Sequence, residues 1–244
     1  MSEFNFPTEI VELPSKGLLY PEGHPLKEGK VEMKYMTARE EDILTNQNYI
    51  QKGIVLDKLL ESLLVTKVPL SDFLLGDKNA ILFAARVLGY GKDYTFTYKD
   101  EEITVDLSQI EMNYLDDSLL KEGNQFEFTL PHSNIEITFK LLTQEDDNKI
   151  QKEIKGIKKV NKLASPDLST RLKYIITSVK GDTDVKTIRH FVDNYLLARD
   201  SKALRGYIKN IQPDVKMVFD YEGPDGLEQD ISLPINATFF WPDA

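Results

Sequence analysis

The fold is decided by a strand-to-helix stretch that occurs twice in this 244-residue chain. Residues 31–42 read VEMKYMTAREED, and residues 137–147 read ITFKLLTQEDD. In each, apolar and polar residues alternate as in a half-buried strand, and a threonine then precedes an acidic first helical turn. Thr37 and Glu40 have capping-box spacing, in which a hydroxyl and a carboxylate satisfy two free backbone N–H groups. Both stretches therefore predict a strand followed directly by a capped helix.

The order of the elements that follow is also shared by the two halves. Residues 74–81 lead to the alternating residues 94–98, and residues 196–204 lead to the alternating residues 215–221. We therefore predict an α+β fold with two similar lobes from an internal duplication, each with strands or β-hairpins and about three helices. The first lobe, with a connector, spans residues 30–124, and the second spans residues 125–244.

The N-terminal segment, residues 1–29, differs in composition from both lobes. Its centre, residues 13–25, reads LPSKGLLYPEGHP. Proline keeps the preceding residue extended and glycine allows turns, so this composition predicts an extended N-terminal arm. Such an arm gains order by packing either on its own lobe or on a neighbouring subunit.

Hydrophobic periodicity predicts the remaining elements. Apolar residues recur at helical spacing within residues 54–64, 81–88, 150–157, 172–179 and 188–195. The glycines of residues 89–91 should end the second of these helices. Strand alternation predicts hairpins over residues 94–107 and 126–139, and a final hairpin that closes at residues 239–242.

Composition restricts the classes of partner. The apolar fraction of 41% is that of a globular chain, and the net charge of −10 disfavours nucleic acid or an anionic membrane as the main ligand. The absence of cysteine excludes disulfides, thiolate catalysis and cysteine-based zinc sites. No segment has the composition of a signal peptide or of a membrane span. The expected partners are therefore proteins.

No catalytic, cofactor-binding or metal-binding residues are nominated by the sequence. His24, His132 and His190 are far apart, and neither a zinc-protease motif nor a phosphate-binding glycine loop is present. The acidic clusters at residues 40–42 and 145–147 fall in predicted first helical turns, where the helix dipole stabilises negative charge. We therefore expect a protein that is not an enzyme and that has no cofactor.

Three segments are candidate contact surfaces, and each has a structural alternative. The lysine-rich helix after Thr143 could instead be an ordinary solvated face, and the C-terminal aromatics could insert into the core of the second lobe. The arm could pack on its own chain. The partner-binding candidates are Leu18, Leu19 and Tyr20 in the arm, Lys152, Lys155 and Lys159 on the lysine-rich helix, and Phe239, Phe240 and Trp241 near the C-terminus.

Several of these motifs together resemble the baseplate proteins of T-even-like contractile-tailed bacteriophages. The resemblance is carried by LPSKGLLY at 13–20, MTAREEDILTN at 36–46, LDKLL at 56–60, RDSKAL at 199–204 and FFWP at 239–242. Relatives often carry paired cysteines in the last hairpin as a zinc knuckle. Here residues 220–227 contain no cysteine, and GPDG at 223–226 would make the turn instead.

The resemblance implies a non-enzymatic baseplate hub component or hub assembly factor that acts through protein contacts. Its partners would be other baseplate or tail proteins, with no nucleic acid and no membrane insertion, and it could form a multimer within the assembly. It would reside in the host cytoplasm during assembly, and in the tail baseplate of the virion if it stays bound.

Two alternative functions are left open. One is a cytoplasmic adaptor or chaperone for a soluble client, which would have no association with tails. The other is a carboxylate-based hydrolase of the tail, which needs two acids in one cleft with the pKa of one of them raised. The sequence does not nominate such a pair.

Overall fold

Helices and short strands alternate along the chain in an α+β fold, as predicted. The computed structural model describes residues 7–120, 123–163, 165–222, 228–233 and 237–240. The helices are α1 (Ala38–Leu44), α2 (Gln47–Lys52), α3 (Val55–Leu63), α4 (Leu75–Tyr90), α5 (Gln144–Val160), α6 (Asp167–Ile175), α7 (Val185–Asn194), α8 (Ala198–Ile211) and α9 (Ala237–Phe240). The strands are β1 (Thr8–Glu12), β2 (Lys30–Lys34), β3 (Asp93–Tyr98), β4 (Glu101–Asp106), β5 (Met112–Asn113), β6 (Phe126–Thr129), β7 (Glu136–Phe139), β8 (Ile176–Val179), β9 (Asp214–Val215), β10 (Val218–Glu222) and β11 (Glu228–Ser232).

The strands form several small antiparallel sheets. β1 pairs with β2, β3 with β4, and β10 with β11, while β6, β7 and β8 form a three-stranded sheet. The two predicted hairpins over residues 94–107 and 126–139 are therefore present as β3–β4 and β6–β7. A further short sheet joins β5 to β9, so one strand from each predicted lobe contributes to it.

The capped helices form as predicted. The carboxylate of Glu40 accepts hydrogen bonds from the backbone N–H of Thr37 at 3.0 Å and from its hydroxyl at 2.6 Å. Lys34 and Ser62 donate to the other carboxylate oxygen at 2.9 and 2.7 Å. Burial would raise the pKa of Glu40, but the hydrogen bonds from Thr37, Ser62 and Lys34 lower it to about 2. This buried carboxylate therefore joins β2, α1 and α3.

Glu40 should make stability fall in acid. Its pKa is lowered from 4.5 in the unfolded chain to about 2 in the folded protein. Its contribution, roughly 3 kcal/mol by linkage, is therefore complete above pH 4.5 and is lost as the pH falls towards 2. In urea unfolding followed from pH 6 to pH 2, we expect Glu40→Gln to be less stable than the wild type at pH 6 and to approach it in acid. Glu41→Gln, at an exposed carboxylate of the same turn, is the matched control, and a Glu40→Gln deficit that stays constant with pH would contradict the assignment.

The second capped helix repeats several of these contacts. Thr143 and Asp146 exchange hydrogen bonds at 3.1 and 3.2 Å, and Lys140 pairs with Asp146 at 2.7 Å as Lys34 does with Glu40. The two halves thus share a strand, a basic residue and a capping box in the same order. The internal duplication remains a prediction.

The described residues form a hydrophobic core to which both halves of the chain contribute. It includes Leu13, Phe73, Phe139, Leu204 and Phe239, all of which are fully buried or nearly so. Backbone hydrogen bonds also cross the predicted boundary at residue 124, since residues 73–75 bond to residues 142–144 at 2.8 and 3.0 Å. The predicted lobes are therefore joined by core packing as well as by backbone pairing.

The extended arm predicted for residues 1–29 is not confirmed, because residues 7–29 fold back on the chain. β1 pairs with β2, and the backbone N–H of Leu13 donates to the carbonyl of Gly29 at 2.8 Å. Gly17 makes this return possible with a φ of 74°, and a Cβ there would lie 2.2 Å from the carbonyl oxygen of Lys27. The segment thus packs on its own chain, one of the two outcomes that the composition left open.

Two predicted elements differ from the structure. The helix predicted over residues 172–179 ends at Ile175, and residues 176–179 form β8, which pairs with β7. β-branched Ile176, Thr177 and Val179 suit a strand, and a short apolar run does not distinguish a strand from a helix. The predicted hairpin that closes at residues 239–242 is also different. The last hairpin described is β10–β11, and its turn at residues 223–227 lies outside the described residues. Phe239 and Phe240 belong to α9 instead, and residues 241 and 242 lie outside the described residues.

Candidate protein-interaction surface

α5 is a 17-residue helix that is fixed to the protein along one side. Ile150 and Ile154 are buried in that side. Glu153 accepts two hydrogen bonds from the guanidinium of Arg189 in α7, both at 2.7 Å, and a third from the hydroxyl of Tyr174 in α6 at 3.0 Å. The bond from Arg189 is the main reason that the pKa of Glu153 is lowered. This anchoring holds the opposite side of α5 towards solvent.

The predicted lysines Lys152, Lys155 and Lys159 lie on that exposed side. Their spacing of three and then four residues places them within a sector of about 60° that extends over roughly two turns. Within the described part of the chain, none of the three forms an ion pair or hydrogen bond, whereas Lys149 and Lys158 of the same helix pair with Glu145 and Asp167. The structure therefore brings the three predicted lysines together as an unpaired cationic face.

The predicted contacts of the N-terminal segment are mostly buried. Leu19 and Tyr20 belong to the core, and Leu18 is partly buried against it. The hydroxyl of Tyr20 donates to Asp77 at 2.7 Å and accepts from the backbone N–H of Leu74 at 2.9 Å. Burial, reinforced by Asp77, raises the pKa of Tyr20 far above its usual range. A partner could touch Leu19 or Tyr20 only if this segment left the core, so packing explains these residues.

The C-terminal aromatics are also core residues. Phe239 and Phe240 are 0% and 1% exposed, and the ring of Phe239 lies 5.1 Å from that of Tyr94 and 6.4 Å from that of Phe83. Arg86 donates to the carbonyl of Phe239 at 3.0 Å. These contacts are with α4 and β3 of the first half, not with the hairpin of the second half as the core alternative predicted. Trp241 lies outside the described residues.

A buried polar cluster at the start of α4 was not predicted from the sequence, although Tyr20 belongs to it. The carboxylate of Asp77 accepts hydrogen bonds from the backbone N–H and the hydroxyl of Ser15 at 2.9 and 2.6 Å, in addition to the bond from Tyr20. Burial raises the pKa of Asp77, and these hydrogen bonds oppose the rise. Because Asp77 is 0% exposed, the cluster fastens the N-terminal segment to α4 and does not form an open site. Ser15 and Asp77 are 62 positions apart, so no local sequence pattern predicts their contact.

A groove of about 1380 Å³ lies beside the β5–β9 pair. Its acids include Asp106 and Glu111. A hydrogen bond from Lys92 lowers the pKa of Asp106 to about 2, and one from Lys216 lowers that of Glu111. A general acid in a carboxylate-based hydrolase requires the opposite shift, so these two residues do not match that role.

A second cationic face, on α8, was not predicted from the sequence. Lys202, Arg205 and Lys209 are exposed at the same spacing as the three lysines of α5. Arg205 and Lys209 also line the groove. Both faces have basic residues at positions i, i+3 and i+7, and this spacing is the signal in the sequence that identifies them. The number of lysines alone indicates only the α5 helix, which has more of them.

No family model, curated protein or solved structure matches this chain. In the ranges that the structure describes, no three or more His, Cys, Asp and Glu side chains are grouped so that they could hold a metal ion. None of the helices described is both long and apolar enough to cross a membrane.

Proposed function

We propose that the protein is a non-enzymatic component or assembly factor of a contractile phage tail baseplate, and that it acts through protein contacts. The observation that supports contact by protein is the cationic face of α5 on a chain whose net charge is −10. Its three lysines have no partner among the described residues, and the helix beneath them is anchored by the Glu153–Arg189 pair. A fixed and unneutralised charge cluster is suited to an acidic protein surface.

The assignment to a baseplate depends on the motif resemblance alone. Within it, two roles differ in their stoichiometry. A structural subunit stays in the particle, whereas an assembly factor binds hub proteins and leaves before the tail is complete. An adaptor for a soluble client would do neither.

Particle composition tests this proposal. Mass spectrometry of purified virions and of tail-assembly intermediates should detect the chain at several copies in one or both. Detection in virions assigns a structural subunit, and detection only in hub intermediates assigns an assembly factor. If the chain is expressed but is absent from both fractions, the baseplate proposal is wrong and the adaptor function is favoured.

Charge reversal on α5 should weaken partner binding and leave the fold intact. We expect Lys152→Glu/Lys155→Glu/Lys159→Glu to lower the yield of the co-purified hub complex at least about tenfold, the equivalent of one strong charged contact. Thermal unfolding should change little, because a substitution at an exposed position outside a network usually alters stability by less than about 0.5 kcal/mol in either direction. The matched control, Lys52→Glu/Lys67→Glu/Lys186→Glu, changes the net charge equally at exposed lysines elsewhere. An equal loss in both variants would contradict a specific contact through α5.

A further inference from the structure

Two helices present the same surface pattern, although their sequences differ at the positions between. Residues 152–159 read KEIKGIKK, and residues 202–209 read KALRGYIK. Each has basic residues at positions i, i+3 and i+7 and a glycine at i+4, all within a helical sector of about 100°. We call these groups the α5 face (Lys152, Lys155, Gly156, Lys159) and the α8 face (Lys202, Arg205, Gly206, Lys209). All eight residues are exposed.

The charges of both faces are unneutralised. None of the six cations forms an ion pair with a carboxylate in the ranges described, and Arg205 donates only to the carbonyl of Ser201 in its own helix. Other lysines of the chain do pair, as Lys78 does with Asp57 and Lys173 with Asp193. Each face therefore concentrates positive charge on the surface of an acidic protein.

The glycines are not explained by the packing of this chain. A Cβ added to Gly156 or to Gly206 would meet nothing within 4 Å, and neither residue has the positive φ that favours glycine. A glycine inside a helix costs about 0.5–1 kcal/mol relative to alanine. This destabilising residue occurs in both helices, at the same position relative to the three cations. The property that a missing Cβ provides at an exposed position is close approach by another backbone.

The predicted duplication does not account for the shared pattern. In that scheme α5 corresponds to α1, because both follow a capping threonine, and α8 corresponds to α4. With Asp77 aligned to Asp200 and Ala80 to Ala203, the region of α4 equivalent to the α8 face reads NAILFAAR at residues 79–86. It has no glycine, and of the three cations it has only the last, Arg86, which is buried. The pattern therefore arose on two helices that would not be copies of each other.

We propose that each face seats one acidic helix of a partner protein, with the glycine at the point of closest approach and the cations paired with carboxylates. This inference rests on one part of the proposed function, namely that the protein binds other proteins. Positions i and i+7 are about 10.5 Å apart along a helix, so glutamates at the same spacing on a partner helix are in register. Packed helices are 8–10 Å apart, and glycine permits the shorter distance.

The composition of the faces favours a protein partner over other polyanions. Neither face contains an aromatic residue on which a base could stack, which single-stranded nucleic acid sites use. Neither contains the large apolar residues with which an amphipathic helix enters a lipid surface. The net charge of −10 repels extended polyanions, whereas a short acidic helix meets only the local positive charge.

A defined peptide tests this proposal with the purified full-length protein. The probe is an alanine-based helical peptide with glutamates at i, i+3 and i+7, and its control has glutamine at those positions. Calorimetry should show two sites for the glutamate peptide and affinity that falls with salt, because exposed charge pairs are screened. Reversing the three charges of the α5 face, or those of the α8 face, should each remove one site. Reversal at Lys52, Lys67 and Lys186 should leave both sites.

The glycines provide the most specific test, because they can be changed without altering charge. Gly156→Gln and Gly206→Gln should each raise the thermal stability, as glutamine is the better helix former, and weaken their own site at least about tenfold. A role in helix structure alone would change the stability and leave peptide binding as it was. The proposal is overturned if the glutamine peptide binds equally well, if Gly→Gln leaves both sites unchanged, or if duplex DNA or anionic vesicles displace the peptide. Absence of the chain from both virions and tail-assembly intermediates would refute the baseplate function without affecting these results.

Discussion

Gly76→Ala is expected to destabilise the protein by about 3 kcal/mol or more, as for overpacking against a rigid neighbour. Gly76 lies in the first turn of α4, where a Cβ would be 1.7 Å from the carbonyl oxygen of Pro213 and 3.1 Å from the Cα of Asp214. These are backbone atoms at the start of β9, which is paired with β5. They cannot rotate away as a side chain can, so either α4 or the β5–β9 pair must move.

Urea unfolding of Gly76→Ala and Gly206→Ala measures this effect against a matched substitution. Gly206 is also helical, but a Cβ there meets nothing within 4 Å. Gly206→Ala should therefore raise the free energy of unfolding by about 0.5–1 kcal/mol. The two variants make the same chemical change, but the free energy of unfolding should fall in Gly76→Ala and rise in Gly206→Ala. Similar stability for both would show that α4 does not approach Pro213 as closely as the structure indicates.

Phe239→Ala is expected to cost about 3–5 kcal/mol, the usual range for removing a buried aromatic ring. The ring is fully buried between Phe83, Tyr94 and Phe240. The substitution leaves a cavity and also removes ring contacts that favour particular aromatic geometries. The result also distinguishes between the two roles predicted for the C-terminal aromatics, since a docking residue would lose partner binding with little effect on stability.

The controls for Phe239→Ala vary the volume and the exposure of the residue removed. Phe239→Leu keeps most of the apolar volume and should cost about 1.5 kcal/mol or less. Tyr195→Ala removes an aromatic ring that is 61% exposed and should change stability by about 0.5 kcal/mol. Thermal and urea unfolding of the three variants should give this order. If Phe239→Ala kept the stability of the wild type and bound the hub more weakly, Phe239 would be a partner-contact residue and not a core residue.

Local rules explain which elements were predicted correctly from the sequence. The helix caps at Thr37 and Thr143, the stop of α4 before Gly91, and the hairpins β3–β4 and β6–β7 depend on residues within a few positions of each other. The lysine face of α5 belongs to the same class, because helical periodicity alone places side chains three and seven residues apart on one side. Such features follow from backbone geometry and need no information about distant residues.

Sequence alone determined the α+β class, the capped helices and the exposed cationic side of α5. Tertiary structure decided where Tyr20 and Phe239 lie, because each is held by groups more than fifty positions away, Tyr20 by Asp77 and Phe239 by Arg86. It also decided that residues 176–179 form a strand, since β7 supplied the hydrogen bonds that a helix would otherwise have made. An aromatic residue suits a core and an interface equally well, so only the packing of the whole chain assigns it to one of them.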